Sequence, residues 1–242
     1  MQFSLNINTG FREHRSTYMA LLKLVDKVAN EVDNKSYSLG IFLDLSKTFD
    51  TLNHNILSKK LEYYGFRGIT LSWLESYLSK CKQYVTIVNE ISNVQQIHTG
   101  VPQGSILGPL HFILYFNDSV NVNHDVQLLM FADDTIILMC EKNINSLEMR
   151  ANLVLQDISQ WFKLNKLSLN VKKCNFMLFT NKKMGYDIML KIDNPCKEKV
   201  VRTKFLGVII NEKLSWENHI RLLKNKISKS IDNLRRIQNK SS

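Results

Sequence analysis

An α+β fold built on an antiparallel sheet is what this sequence predicts. Three observations carry that expectation. Amphipathic helical patterns are interleaved with short apolar runs and do not alternate with them as regular βαβ units. Two pairs of those runs are joined tightly enough to be hairpins, 126–130 with 135–139, and 82–88 with 91–97 across Asn89 and Glu90. Finally, 44% hydrophobic residues supply ample core, and with only 3 prolines and no low-complexity stretch nothing divides the chain into independent domains.

Residues 16–34 read as a helix, with Tyr18, Leu21, Leu22, Val25, Val28 and Val32 at helical spacing and Ser16 or Thr17 as its cap. The run 38–43 is a buried strand that ends on Asp44. A helix over 55–64 closes at Gly65. Another, over 71–78, has Trp73, Leu74, Tyr77 and Leu78 as its apolar face. After the 82–97 hairpin, the strongly apolar 106–116 reads as a buried helix behind Gly104. The second hairpin follows, then an amphipathic helix over 143–162 with Leu147, Ala151, Val154 and Ile158 on one side. Strands are expected at 175–180, 187–192 and 200–210. From Trp216 the tail is a helix with the stripe Ile220, Leu223, Ile227, Ile231 and Leu234.

The 32 Lys and Arg against 22 Asp and Glu give a net charge of +10, which suggests a polyanionic partner, nucleic acid before an anionic membrane. Cys81, Cys140, Cys174 and Cys196 form no C-x-x-C pair, which argues against zinc and for reduced thiols in an intracellular protein, cytoplasmic or nuclear. No signal-peptide pattern and no bilayer-length apolar run is evident.

The chemistry is concentrated in carboxylates. The string FADD at 131–134 puts Asp133 and Asp134 at a hairpin tip beside hydrophobic strands. Adjacent carboxylates there need a cation, and Mg²⁺ is held by such groups together with substrate phosphates. A polar turn is the equally available reading, since Asp is a common turn residue. Asp44 is read either as a cap or surface ion pair, or as a third carboxylate if its strand neighbours the hairpin. Three converging carboxylates with two Mg²⁺ would make a site for in-line phosphoryl transfer. Between them, TGVPQGSILGP at 99–109 is too rich in Gly and Pro for a helix or strand interior. It is a structural turn or a loop that approaches a ligand through Gly104 and the donor and acceptor of Gln103.

Three strings, FLDLSKTFDT (42–51), VPQGSILGPL (101–110) and FADD (131–134), stand in the order seen in reverse transcriptases. The chain closely resembles the reverse transcriptase domain of non-LTR (LINE-type) retrotransposons, jockey-like elements in particular. TGFREHRST (9–17) resembles the family's fingers segment, LSLNVKKC (167–174) the segment after the catalytic hairpin, and KFLGV (204–208) the primer-grip region.

The resemblance implies a right-hand polymerase fold over 1–242, with fingers at 1–35 and 53–97, palm at 36–52 and 98–212, and the start of a thumb at 213–242. It implies an RNA-directed DNA polymerase using two Mg²⁺ (Mn²⁺ as a substitute), an RNA template, a DNA primer and dNTPs. Asp44, Asp133 and Asp134 match the metal-binding triad, with the Leu45 carbonyl as an extra ligand. Phe49 matches the aromatic gate that excludes a 2′-hydroxyl; core packing is its other reading. Gln103 and Gly104 match the loop touching nucleotide and template, and Arg12 a fingers arginine. Lys173 matches the lysine that protonates pyrophosphate, with Lys172 its competitor. Asp50, Asn117 and Asp118 are read as structural. The basic tail, with Asp232 alone against seven Lys and Arg between 221 and 240, suits a thumb on the nucleic-acid backbone; a solvated helix face or a membrane-surface helix are its other readings.

Thr48 stands where the family usually has alanine, Asn53 where it has aspartate, His111 where it has an aliphatic residue and Cys174 where it has threonine. None removes an expected ligand, and His111 reads as a core histidine. Against the family pattern the chain also looks shortened at both ends. That keeps two alternatives in view: an impaired remnant that only binds nucleic acid, and a group II intron maturase-like enzyme.

Overall fold

The computed structural model describes residues 16–88, 90–102, 104–123, 126–131, 134–182, 188–192 and 198–238. Its centre is a four-stranded antiparallel sheet in the order β6-β7-β1-β8, formed by β1 (Tyr37–Asp44), β6 (Gln127–Phe131), β7 (Asp134–Glu141) and β8 (Asn175–Phe179). β1 is central and buried along its length apart from its two ends. Its alternation sends Leu39, Ile41 and Leu43 to one core and Phe42 to the other, and β7 does the same with Ile137 and Met139 against Ile136 and Leu138.

On the Leu39 side lie α2 (His54–Tyr63), α3 (Gly68–Ser79), α4 (Leu107–Phe116) and α5 (Ile144–Leu164). α4 is buried almost throughout, as its apolar run requires. Asn53 caps α2 by accepting from Ile56 N at 3.1 Å, a task that asparagine performs as well as aspartate. A short 3₁₀ turn, Asn117–Val122, follows α4. There Lys60 reaches out of α2 to the Tyr115 carbonyl (2.6 Å) and the Asp118 carboxylate (2.7 Å), under the rings of Tyr115 and Trp161. Asp118 is thus the structural ion-pair partner expected of it.

On the Phe42 side lie α1 (Thr17–Asp33) and the hairpin β9 (Arg202–Phe205) with β10 (Val208–Asn211). Ser16 caps α1 by accepting from Met19 N. The buried face of α1 is Ala20, Leu24 and Val28, so the expected stripe is rotated: Tyr18 is 70% exposed and Leu22 45%. Similarly, α3 buries Leu74 and Leu78 and leaves Trp73 exposed.

Two expected strands differ. The run 200–210 is not one strand but the β9–β10 hairpin, turned at Leu206 (φ 48°) and Gly207 (φ 82°). Positive φ at both central residues is the type I′ geometry that matches strand twist. Within 188–192 no strand forms. Instead Ile188, Leu190 and Ile192 are buried while Asn152 of α5 bonds the Met189 carbonyl (3.0 Å) and the Lys191 amide (2.9 Å).

The 82–97 hairpin is present as two short, exposed ladders: β2 (Lys82–Gln83) pairs β5 (Gln95–Gln96), and β3 (Thr86–Ile87) pairs β4 (Glu90–Ile91). α6 (Glu217–Gln238) buries no residue, and its stripe from Ile220 to Leu234 lies open. No helix among the described residues is long and apolar enough to cross a membrane.

Candidate functional site

β1 and β7 end together, and Asp44 is the register partner of Asp134. Residues directly opposite in an antiparallel pair project from the same face. The connection from Phe131 to Asp134 comprises 132 and 133, so Asp133 lies outside the described residues, as do Gln103 and Arg12. Of the expected triad, two carboxylates are therefore seen, opposed across the end of the sheet.

The segment after α5 completes this end. Ser46 N donates to the Ser168 carbonyl (2.9 Å), Leu45 bridges Leu169, and Asn170 N donates to the Asp44 carbonyl (2.8 Å). A turn at Asn170, closed by Lys173 N on its carbonyl at 2.9 Å, then brings Lys173 Nζ to 3.8 Å from Asp44 Oδ2. That contact is 70% exposed on the lysine side, so it screens the carboxylates only weakly. Lys172, its rival in the sequence, is exposed and has no ion pair with these carboxylates among the described contacts.

The donor set is all oxygen. Beside the two carboxylates, the Leu45 carbonyl accepts from Thr48 Oγ1 at 3.5 Å, longer than an ordinary hydroxyl hydrogen bond, so it keeps acceptor capacity. Such a set suits a hard divalent cation such as Mg²⁺. No cluster of three or more His, Cys, Asp or Glu is found among the described residues.

Past Asp44 the chain turns through Lys47 (φ 48°), whose carbonyl accepts from Asp50 N, Thr51 N and Thr51 Oγ1. The turn presents Phe49, half-buried, with its ring stacked on Phe112 of α4 at 4.8 Å and 27°. The Gly- and Pro-rich string is fastened to this same turn. Gly100 N donates to the Leu52 carbonyl (2.7 Å), Val101 N to the Phe49 carbonyl (2.8 Å) and Thr99 Oγ1 to the Asp50 carbonyl (3.2 Å). The approach is so close that a Cβ on Gly100 would meet the backbone of Asp50 at 2.7 Å. At the other end Ser105 Oγ donates to the Pro102 carbonyl (2.7 Å) and accepts from Gly108 N (3.0 Å) at the start of α4. Gly104 between them is exposed, with φ 81° and open space where a Cβ would stand.

Two grooves among the described residues have polar linings that bear on function. One, of about 740 Å³, runs between the 82–97 hairpin and the Lys47 turn and is lined by Lys47, Gln83, Gln96, His98 and Pro102 among others. The other, of about 450 Å³, separates the β9–β10 hairpin from α6 and carries Arg202, Arg221, Lys226 and Lys229. Sequence reasoning passed over His54 and Ser105; neither belongs to a recognisable acid–base or metal pattern, and their partners are backbone groups.

Known proteins agree with this arrangement. Residues 6–210 match the model of a family described as reverse transcriptase (RNA-dependent DNA polymerase). The chain is 27% identical over 218 residues to the RNA-directed DNA polymerase from mobile element jockey of Drosophila melanogaster. It is 29% identical over 225 residues to the same organism's probable RNA-directed DNA polymerase from transposon X-element. Each alignment covers 87% of this chain and 24% of the relative, so the chain spans about a quarter of the length of these relatives. Among solved structures, an apo telomerase from Candida tropicalis truncated from its C-terminal domain superposes with a TM-score of 0.56 at 17% identity, over 84% of this chain and 39% of that one. The shared fold is the right-hand polymerase fold, with this antiparallel sheet as its palm. Reverse transcriptases generally use divalent metal ions. With a family model spanning most of its length and two carboxylates opposed at the end of the sheet, the chain belongs to the reverse transcriptase family.

Proposed function

We propose that this chain is an RNA-directed DNA polymerase domain that extends a primer 3′-hydroxyl with deoxynucleoside triphosphates. The observation that supports this best is the register pairing of Asp44 with Asp134, beside Lys173. In this reading Asp44, Asp133 and Asp134, with the Leu45 carbonyl, hold two Mg²⁺. When bound, the metals supply activation of the attacking oxygen and charge neutralisation on the leaving group. The protein's own contribution is positioning. Phe49, backed by Phe112, forms the floor under the nucleotide sugar and excludes a 2′-hydroxyl. The loop with Gln103 and Gly104 approaches the base pair, and Arg12 assists from the fingers. Lys173, tethered beside Asp44, gives its proton to the departing pyrophosphate, as a general acid within reach of the leaving oxygen must. The basic groove against α6 holds the phosphate backbone of primer and template. In this reading the fingers span 1–35 and 53–97, the palm 36–52 and 98–212, and the thumb begins at 213.

Extension of oligo(dT) on poly(rA) with dTTP and Mg²⁺ tests the reading. Templated synthesis that is lost with EDTA is the expected result. Binding of primer–template without any incorporation would leave only a nucleic-acid-binding remnant.

A further inference from the structure

We infer that His54 is a positioning residue for the Gly100–Val101 peptide, from which the loop proposed to touch the nucleotide departs. The inference rests on the polymerase reading above and adds to it a residue with no place in the metal site. His54 is the first residue of α2, part-buried, and its Nε2 lies 2.7 Å from the Gly100 carbonyl. A carbonyl can only accept, so Nε2 carries the proton and donates.

The Gly100 carbonyl and the Val101 amide belong to one peptide plane. His54 holds the carbonyl end at 2.7 Å, and the Phe49 carbonyl holds the amide end at 2.8 Å. A planar peptide gripped at both ends has its orientation fixed. The preceding amide, Gly100 N, is held in turn by the Leu52 carbonyl. The direction in which the chain leaves toward Pro102 is thereby set by α2 and by the Phe49 turn together. Only glycine tolerates the approach to Asp50. His54 thus couples the start of the loop to the residue proposed to gate the sugar. Among the described contacts to the Gly100–Val101 unit the imidazole is the one side chain; the others are main chain and survive substitution.

Amide hydrogen exchange on the full chain, wild type against His54→Phe and His54→Gln, tests the inference independently of activity. Phenylalanine keeps the ring volume and loses the donor, whereas glutamine keeps an N–H at similar reach. Losing one hydrogen bond of ordinary worth should speed exchange across 99–104 about tenfold in His54→Phe. His54→Gln should stay within about threefold of wild type, and both variants should leave β1 and β7 protected as before. In primer extension His54→Phe should raise the dNTP KM about tenfold with kcat within about threefold, and His54→Gln should restore it. Unchanged protection of 99–104 in His54→Phe, or equal damage from both variants, would overturn the inference. So would a fall in kcat at constant KM. A wild-type chain that makes no DNA would count against the polymerase reading, and the exchange data would still decide the role of His54.

Discussion

Asp44 and Asp134 are register partners across β1 and β7, so two carboxylates are held opposite each other at the open end of the sheet. Like charges directly opposite in a sheet destabilise it. Without metal, Asp134→Asn should therefore stabilise the fold by about 0.5 kcal/mol, and with millimolar Mg²⁺ the wild type should gain more than the variant. Thermal unfolding with and without Mg²⁺ reads both effects; a wild type indifferent to the ion would remove the metal from this site.

Phe49 leans on Phe112 at 4.8 Å. Phe49→Val should admit ribonucleotides, lowering deoxy-over-ribo discrimination about a hundredfold, the scale on which a pocket rejects one extra hydroxyl. Competitive incorporation of dTTP and UTP on an RNA template measures the ratio. Unchanged discrimination would return Phe49 to the core.

Gly100 has φ 84° and lies 2.7 Å, at the position of a missing Cβ, from Asp50 backbone atoms. Gly100→Ala should destabilise by roughly 2–3 kcal/mol through strain and clash. Denaturant unfolding gives this directly, and a loss below 0.5 kcal/mol would mean that the turn and loop are not in contact in solution.

His111 is fully buried against Tyr77, and neither ring nitrogen has a hydrogen-bond partner. Burial holds its pKa below the ordinary 6.5. The unfolded chain therefore takes up the proton first as pH falls. This contribution to stability is complete above pH 6.5 and is lost progressively from there toward the lower folded value. His111→Leu should stabilise at neutral pH by about 1–2 kcal/mol, and by more at pH 5.5. Melting curves at the two pH values check the sign; a difference that shrinks on acidification would contradict it.

The groove between the β9–β10 hairpin and α6 gathers Arg202, Arg221, Lys226 and Lys229. Each neutralised contact to phosphate should lower the slope of log K against log[salt] by about one, equally for all sequences. Arg221→Ala and Lys226→Ala, titrated with primer–template across salt, should each do so. A slope that does not change would assign the groove to something other than nucleic acid.

Much of the central sheet was legible because its strands are short continuous apolar runs, and α5 because it carries a clear stripe. The pairing of β1 with β7, which makes Asp44 and Asp134 neighbours, joins segments far apart in the chain, and no local pattern encodes it. The β9–β10 hairpin was hidden because an apolar run passes through Leu206, a poor turn former, and Gly207 alone marks the bend. The face of α1 was misjudged since Tyr18 and Leu22 share its helical spacing, but the sheet receives Ala20, Leu24 and Val28. His54 left no signal at all, because its partner is a main-chain carbonyl 46 positions away.

Single-turnover dTTP incorporation by wild type and Asp44→Asn, measured beside their affinity for the same RNA–DNA primer–template, tests the central claim most directly. Removing a proposed metal ligand should slow incorporation about a thousandfold, while primer–template affinity should stay within about twofold if the backbone is held, as proposed, in the groove against α6. Retained synthesis, or a parallel loss of synthesis and binding, would contradict the account.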